Sequence, residues 1–489
     1  MKKIKAINFL IVATLIMLLV SPVSAAGPTG SWVTGITCQN LSPSQAMVLF
    51  QFYREGVLTS ALNYFDTIPA NGTLKYFTPN PPPSVPSPFS GSVAVSSDQS
   101  VICNFNLQST GTGTSTNPYR MGTASGLLTM QVNRTMYAPQ IDKVAGGTWN
   151  SYMVIQNSGL LSEDIEIHYY DRNTGTETTV ERYYNIAPNT SKMIYPELDG
   201  NLPNGFYSAV IIGTQTNSVT VSMYNSGTDN TTSGFNLYDA IPTGGTNLII
   251  PRVVYRYYGY NSGISVMNVS DRNATVYIDF TFKNGVTYHY QSPNIIKQYQ
   301  TLMLYTENMG IFSDPNNYDL NTYDVSLRTG RASVYAKDSS NNNVSIVGIV
   351  NMDNRGGYGG QTGDIGKSAT SNMGVIGQET NDVFFPQLPK KAGNIFTGGL
   401  IVANATGTPG SCDFTFYSSP IVTLNNVTLP ANGLISLYMG IQVPGLPDGF
   451  NGSAKAHCNP KVFGVGNFSA DASTGKLGDS YVEYNAYNQ

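Results

Sequence analysis

Few side chains in this 489-residue sequence have the types and spacing that catalysis or metal binding requires. The three histidines, His168, His289 and His457, are far apart, and each lies on the polar side of an alternating segment. Metal ligands and Ser/His/Asp triads must converge in space, and no such set can be assembled within one part of this chain. We therefore predict that the chain is not an enzyme and has no catalytic residues, no metal centre and no cofactor.

The acidic segment from Asp314 to Asp319 is the one candidate for cation binding, because carboxylates offer oxygen ligands to calcium. The spacing of Asp314 and Asp319 does not match an EF-hand loop. Residues that form Asx turns explain the same pattern equally well. Calcium binding by Asp314 and Asp319 therefore stays open beside a purely structural role.

Tyrosine is the residue type in clearest excess, and its densest cluster is a candidate binding surface. Tyr255, Tyr257 and Tyr258 crowd around Arg256. Exposed aromatic rings stack on sugars or become buried at protein contacts. Tyr255, Arg256, Tyr257 and Tyr258 are therefore predicted to form a ligand platform. The alternative is cross-strand pairing of aromatic side chains on a sheet face.

Four cysteines indicate disulfide bonds if the chain is exported. Cys38 and Cys103 lie near the start of the sequence, whereas Cys412 and Cys458 lie near its end. Pairing within each of these regions is the simplest of the three connectivities. Each bridge would close a loop of tens of residues and stabilise its domain by roughly 4 kcal/mol.

The stretch from Trp149 to Asn157 is the element that must position these side chains, because it recurs three more times. In each copy an aromatic residue precedes an Asn by eight residues, with two apolar positions two residues apart between them. A period of two is typical of a strand with one buried face. The Asn is expected to hydrogen-bond to the backbone at the strand end. The pairs are Trp32 and Asn40, Trp149 and Asn157, Tyr260 and Asn268, and Phe396 and Asn404.

Four copies of one strand predict four tandem domains, called repeats 1 to 4 below. Their predicted ranges are 26–135, 136–247, 248–383 and 384–489. Turn signatures such as Ile68-Pro-Ala-Asn-Gly72 separate roughly seven short strands in a repeat, which is typical of an immunoglobulin-like sandwich. The fold is predicted to be all-β, with four antiparallel β-sandwiches in a rod-like array. Trp32 and Trp149 are predicted to anchor cores.

The order of these signatures resembles that of uncharacterised tandem-repeat β-sandwich proteins of bacterial surfaces. The aromatic–Asn strand comes first, the Ile-Pro-Ala-Asn-Gly turn follows, and Leu202-Pro-Asn-Gly-Phe206 precedes the last strands. The resemblance spans nearly all of the chain after the leader. It implies an exported immunoglobulin- or fibronectin-like fold and nothing specific about function. Repeat 3 lacks two of the signatures.

Residues 1–25 are predicted to be a signal peptide. Three lysines precede an apolar run from Ile7 to Val20, and small residues follow at a plausible cleavage site. An uncleaved membrane anchor is the alternative, although the run is short for a bilayer span. No later segment is apolar enough to cross a membrane. The net charge of −4 does not indicate a nucleic-acid partner.

Repeats 2 to 4 each begin with a strand that contains a proline, Pro139, Pro251 or Pro386. Cleavage of the leader would leave repeat 1 without this strand, and an unpaired sheet edge accepts a strand from another chain. The alternating tail 481–487 is predicted to supply that strand to a neighbouring molecule, or else to fold back on its own repeat. The first arrangement would propagate as a fibre.

The sequence thus predicts a secreted, non-enzymatic structural or interaction protein of the cell surface, such as a surface-layer or fibre component. Its expected partners are proteins, either further copies of the chain or other envelope proteins. The alternative is an adhesin or carbohydrate-binding protein that contacts glycans through the tyrosines of repeat 3.

Overall fold

The computed structural model of the chain consists almost entirely of β-strands. It describes residues 21–25, 31–78, 84–110, 113–227, 231–314, 318–356, 364–470 and 477–489. Within these ranges there is no α-helix, and no helix is long and apolar enough to span a membrane. The all-β prediction is confirmed. Residues 1–20 of the predicted signal peptide lie outside the described ranges.

The strands are numbered in chain order, and short 3-10 helices connect some of them. Repeat 1 contains β1 (Ser21–Ala25), β2 (Trp32–Asn40), β3 (Ala46–Arg54), β4 (Leu62–Ile68), β5 (Thr73–Phe77), β6 (Gly91–Ser97), β7 (Val101–Ser109) and β8 (Tyr119–Ser125). Repeat 2 contains β9 (Asn133–Lys143), β10 (Trp149–Asn157), β11 (Glu163–Asp171), β12 (Glu177–Ile186), β13 (Ser191–Ile194), β14 (Gly205–Asn225) and β15 (Phe235–Asp239).

The second half of the chain continues the same succession. Repeat 3 contains β16 (Asn247–Val254), β17 (Tyr260–Asn268), β18 (Thr275–Phe282), β19 (Thr287–Gln291), β20 (Thr301–Tyr305), β21 (Thr329–Lys337), β22 (Ile346–Asn354), β23 (Ser368–Asn372) and β24 (Gly374–Val375). Repeat 4 contains β25 (Thr380–Lys390), β26 (Phe396–Asn404), β27 (Gly410–Phe416), β28 (Val422–Leu429), β29 (Leu434–Tyr438), β30 (Phe450–Ala470), β31 (Gly478–Asp479), β32 (Val482–Asn485) and β33 (Tyr487–Asn488). The 3-10 helices are Thr129–Gln131, Pro196–Leu198, Thr306–Asn308, Gly310–Phe312, Leu320–Thr322 and Val325–Leu327.

Each repeat contributes the same two sets of paired strands. We call the set that contains the aromatic–Asn strand the inner sheet and the other set the outer sheet. In repeat 3 the outer sheet has the order β19–β18–β21–β16, and the inner sheet has the order β20–β17–β22–β23. In repeats 2 and 4 one 21-residue strand, β14 or β30, pairs with outer strands along its first half and with inner strands along its second. The predicted boundaries at 135/136, 247/248 and 383/384 fall within β9, β16 and β25.

The Asn at the end of each aromatic–Asn strand is fully buried and holds three backbone groups. Asn157 Nδ2 donates to the carbonyls of Leu161 and Ile186, both at 2.8 Å, and Asn157 Oδ1 accepts from the Gly159 amide at 2.8 Å. The interpretation that this Asn binds the backbone at a strand end is confirmed. Equivalent bonds are made by Asn40, Asn268 and Asn404.

Within a repeat, the turn before the fifth strand contacts the repeat that precedes it in the chain. Its tip has a positive φ in every repeat, at Asn71, Asn189, Tyr299 and Asn432. Asn tolerates this left-handed conformation better than most residues, which explains the Asn of the turn signature. Side chains of one repeat then contact the turn of the next. Ser92 donates to the Asn189 carbonyl (2.8 Å), Ser208 to the Tyr299 carbonyl (2.5 Å), and Arg331 Nε to the Asn432 carbonyl (2.8 Å).

Side-chain hydrogen bonds join repeat 4 back to repeat 1, so the four repeats form a closed ring. The Thr73 hydroxyl donates to Ser453 Oγ at 2.7 Å, and Asn106 Nδ2 donates to Gln387 Oε1 at 2.8 Å. The prediction of a rod-like array is therefore wrong. Tandem order along the chain does not require linear order in space, and here repeat 1 contacts both repeat 2 and repeat 4.

Four inner strands, one from each repeat, pack together where the repeats meet, and we call this cluster the hub. The hub strands are β8, β15, β23 and β32. At one end, Asn372 Nδ2 donates to the Asp239 carbonyl and Asn485 Nδ2 to the Asn372 carbonyl, both at 2.8 Å. Ser125 Oγ then donates to the Asn485 carbonyl at 3.0 Å. These bonds connect all four repeats.

The two chain ends are both paired within the molecule. The tail folds back on its own repeat, which is the second of the two predicted arrangements, and β32 pairs with β30 and β33 with β25. The structure does not show the tail donated to a neighbouring molecule, since Tyr484 and Tyr487 fill the space between repeats 4 and 1. In the full chain β1 pairs with β6 as the missing first strand of repeat 1. Whether cleavage removes it stays a prediction.

The cysteines are joined within repeats, Cys38 to Cys103 and Cys412 to Cys458. In both bridges the partners face each other on adjacent strands of one sheet. Immunoglobulin domains instead connect their two sheets. The bridges therefore fix strand register inside a sheet.

The closed ring predicts a compact particle in solution. A compact chain of this length has a radius of gyration of about 23 Å, and a row of four separate domains would give roughly twice that. Small-angle X-ray scattering of the monomer should give the smaller value. A value near the larger one would show that the repeats do not close into a ring.

Replacing the strand-end Asn should destabilise the protein strongly. Asn157→Ala removes the side-chain partner of two carbonyls and one amide, and each lost bond costs roughly 1 kcal/mol. We expect a loss of about 3 kcal/mol in unfolding free energy by denaturant titration. The exposed Asn201→Ala serves as the control and should change stability little. Equal effects of the two substitutions would contradict the assignment.

Candidate functional site: the tyrosine cleft between repeats 3 and 4

The predicted tyrosine platform is divided by the structure. Tyr255 is buried, packs on Phe312 with ring centroids 5.1 Å apart, and accepts a hydrogen bond from Asn321 at 3.2 Å. Arg256 lies over the Tyr255 ring and donates to Asn321 Oδ1 at 3.1 Å. The prediction that Tyr255 belongs to an exposed platform is therefore wrong, because its ring completes the core of repeat 3.

Tyr257 and Tyr258 do line a surface cleft, and a backbone turn places them there. Arg256 and Tyr258 both have a φ of +49°, and the Arg256 amide is held by Asn261 Oδ1 at 2.8 Å. This turn between β16 and β17 breaks the alternation of a strand. Tyr257 and Tyr258 meet edge to face at 4.8 Å, and Tyr258 remains exposed.

We call this space the tyrosine cleft; it lies between repeats 3 and 4 and has a volume of about 820 Å³. Repeat 4 contributes Tyr438, whose ring is exposed, from the end of β29. Sequence reasoning missed Tyr438, although it lies at a fixed distance after the Leu429-Pro-Ala-Asn-Gly433 turn signature. Exposed rings from two repeats can stack on the flat face of a sugar or on an apolar side chain.

A buried charged group forms the wall of the tyrosine cleft that faces the hub. Arg252 donates to the Tyr481 hydroxyl at 2.6 Å and approaches Glu483 at 3.4 Å. The Ser371 hydroxyl donates to the other Glu483 oxygen at 2.9 Å. Burial raises the pKa of Glu483, and the adjacent Arg252 guanidinium opposes this rise. The group thus joins repeats 3 and 4 at the wall of the cleft.

The histidines and the candidate calcium residues occupy separate places. His168, His289 and His457 each lie against a carboxylate, of Glu177, Asp279 and Asp382 respectively, at 2.7–2.8 Å. Asp319 accepts from the Asn321 amide at 2.9 Å and caps a 3-10 helix. Among the described residues no group of three or more His, Cys, Asp or Glu side chains could hold a metal ion. Calcium binding by Asp314 and Asp319 stays a prediction.

The two tryptophans predicted to anchor cores differ in their surroundings. Trp32 is partly buried and packs against a core cluster of repeats 1 and 2, where it meets Phe235 of repeat 2 at 4.8 Å between ring centroids. Trp149 is partly exposed and lines a cleft between repeats 2 and 3. Each is the first residue of its strand, so it projects beyond the sheet toward a neighbouring repeat.

Comparisons with known proteins find little. No protein-family model matches the chain, and no curated protein matches it. A solved structure of Thermotoga maritima 1070 is similar at 16% identity over 22% of this chain and 91% of that chain, with a TM-score of 0.19. A tetra-tandem repeat from the extending region of a large adhesion protein is similar at 11% identity over 95% and 97%, with a TM-score of 0.11. These similarities are too weak to define function.

The hub carboxylate Asp239 should make stability depend on pH. Burial raises its pKa from 3.8 to about 7, although the Thr220 hydroxyl, which donates to it at 3.0 Å, opposes this rise. The native state therefore keeps a proton that the unfolded chain releases above pH 4, so stability falls as pH rises from about 4 to 7. A shift of this size corresponds to on the order of 4 kcal/mol at most.

Asp239→Asn should therefore reduce the fall in melting temperature between pH 5 and pH 8, measured by scanning calorimetry. Part of the fall should remain, because burial also raises the pKa of Asp142 to about 6 and that of Asp479 to about 7. The exposed Asp271→Asn is the control. If the melting temperature of Asp239→Asn depends on pH as that of the wild type does, the raised pKa of Asp239 is refuted.

Proposed function

We propose that the chain is a secreted, non-catalytic structural or interaction protein of the cell surface, built from four tandem immunoglobulin-like domains. In this proposal the domains follow the four sequence repeats and act together as one rigid ring. The ring then serves as a building block that contacts other proteins of the envelope, including further copies of itself.

The outer edges of the ring are the observation that carries this proposal. Each outer sheet ends in a strand, β4, β12, β19 or β28, whose second edge is unpaired within the described residues. Unpaired edges present backbone donors and acceptors to other strands. On two of these strands a large aromatic side chain is exposed, Phe65 on β4 and Tyr184 on β12. Edge-to-edge strand pairing between molecules would build a layer or a fibre.

The internal bonding of the ring supports a structural role. Disulfides fix the sheets of repeats 1 and 4, which are the two that meet where the ring closes. Buried Arg331 joins repeats 3 and 4 through the Asn432 turn. The disulfides resist separation of strands within repeats 1 and 4, and the Arg331 bond resists separation of repeats 3 and 4.

The assembly role can be tested on native and purified material. Negative-stain microscopy and sedimentation should show layers, fibres or discrete oligomers of rings. Phe65→Lys places a charge on the β4 edge and should weaken assembly while leaving the melting temperature nearly unchanged. The control is Leu198→Lys, which adds the same charge at an exposed site outside the edge strands. A protein that stays monomeric at all concentrations would overturn the proposal.

A second candidate function is that of an adhesin or carbohydrate-binding protein, which the tyrosine cleft favours. Its exposed rings, Tyr258 and Tyr438, would stack on a glycan. A glycan array should then give saturable signals that fall at least tenfold in Tyr258→Ala and Tyr438→Ala. The exposed Tyr184→Ala, far from the cleft in sequence, is the control. Signals unaffected by the cleft substitutions would exclude this site.

A further inference from the structure

A second cleft, between repeats 2 and 3, combines an indole with buried polar atoms; we call it the tryptophan cleft. Repeat 2 contributes Asp142 from the end of β9, Trp149 from the start of β10, and Arg172. Repeat 3 contributes Tyr305 and Asp353. The volume of about 700 Å³ is within the range of small-molecule sites and accommodates two hexose rings.

Two buried acceptors in this cleft lack a hydrogen-bond donor. Asp142 is 1% exposed and Asn236 is 4% exposed. Gln140 Nε2 donates to Asp142 Oδ2 at 3.1 Å, which fixes the carboxylate. Asp142 Oδ1 and Asn236 Oδ1 make no hydrogen bond anywhere in the described part of the chain. Buried polar atoms without partners cost roughly 1–3 kcal/mol each, so a bound group that donates to them would be stabilised.

A donor without an acceptor lies in the same cleft. Arg172 packs its guanidinium 4.0 Å from the centroid of the Phe206 ring, and its Nε is buried without an acceptor among the described residues. The matching ligand therefore both donates to Asp142 and Asn236 and accepts from Arg172. Hydroxyl groups do both, whereas an ammonium only donates and a carboxylate only accepts.

The charges that line the cleft cancel. The acidic side chains are Asp142 and Asp353, and the basic ones are Arg172 and Arg355. Arg355 is already engaged, since its Nε donates to Asp353 at 2.9 Å and its guanidinium lies 4.2 Å from the centroid of the Tyr305 ring. A balanced lining favours a neutral ligand over an anionic or cationic one.

Trp149 supplies an apolar surface beside these polar atoms. A side chain at position 234 would collide with the indole, because a Cβ on Gly234 would lie 2.8 Å from Trp149 Cη2. Gly234 therefore lets the indole occupy its position at the cleft. Indole faces stack on the C–H face of a pyranose ring, the contact that complements hydrogen bonds to its hydroxyls.

We propose that the tryptophan cleft binds a neutral hexose-containing saccharide, with ring hydroxyls donating to Asp142 and Asn236 and accepting from Arg172, and with Trp149 against the sugar ring. The site is distinct from the tyrosine cleft and does not rest on the proposed assembly role. A protein that assembles without binding sugar, or binds sugar without assembling, separates the two proposals.

The test is a titration of the full chain with maltose, cellobiose, lactose and a wider panel of neutral oligosaccharides, followed by calorimetry and by indole fluorescence. Trp32→Phe leaves Trp149 as the sole indole, because the chain has two tryptophans. At least one neutral saccharide should bind saturably and change Trp149 fluorescence. Asp142→Asn should weaken that binding at least tenfold. The exposed Asp271→Asn, the control, should leave it unchanged.

Several results would overturn the proposal. These are the absence of saturable binding by any neutral saccharide, equal affinity in Asp142→Asn and wild type, or preference for glucosamine or sialyllactose, which carry a net charge. If Trp32→Phe does not fold, calorimetry on the wild-type chain and on Asp142→Asn decides the question alone. If a variant loses binding but keeps the radius of gyration of the wild-type protein in X-ray scattering, the defect is local to the cleft and the protein is still folded.

Discussion

The contact between one repeat and the turn of the next is the constraint on which the rest of the structure depends. At three junctions a side chain of one repeat donates to the carbonyl at the tip of a left-handed turn in the next repeat, and at the fourth the Thr73 hydroxyl of repeat 1 donates to Ser453 of repeat 4. A heterologous contact that repeats with a constant rotation either closes or propagates. Here it closes after four repeats, and closure brings four inner strands together. Both clefts lie between neighbouring repeats that these contacts hold together.

Much of the local fold is predictable from the sequence, because its causes are local. The aromatic–Asn strands follow from a period of two, and the buried Asn follows from the backbone groups at a strand end. The Pro-Ala-Asn-Gly turn is also predictable as a turn. Its docking onto another repeat is not, since nothing in the sequence identifies Ser208 as the partner of Tyr299. Closure depends on rotation between repeats, which periodicity does not encode.

The candidate sites could not be predicted from the sequence for different reasons. Counting alternate positions assigns Tyr255 and Tyr257 to one face, but the positive φ of Arg256 reverses the chain between them. The Tyr255 side chain therefore packs in the core, and the Tyr257 side chain lines the cleft. The tryptophan cleft escaped prediction for another reason, because Asp142, Trp149 and Asn236 are unremarkable one by one. Only their shared junction with repeat 3 shows that their polar atoms lack partners.

The position of β32 has a consequence for how the molecule folds. Its Asn485 carbonyl accepts from Ser125, a bond between residues 360 positions apart. Contacts of such separation form late, because the loop between them must first be ordered. Each repeat can pair its own strands as it emerges, but the hub stays incomplete until β32 is available. Closure therefore follows the pairing of strands within the repeats, and deletion of β32 would prevent it for all four repeats together.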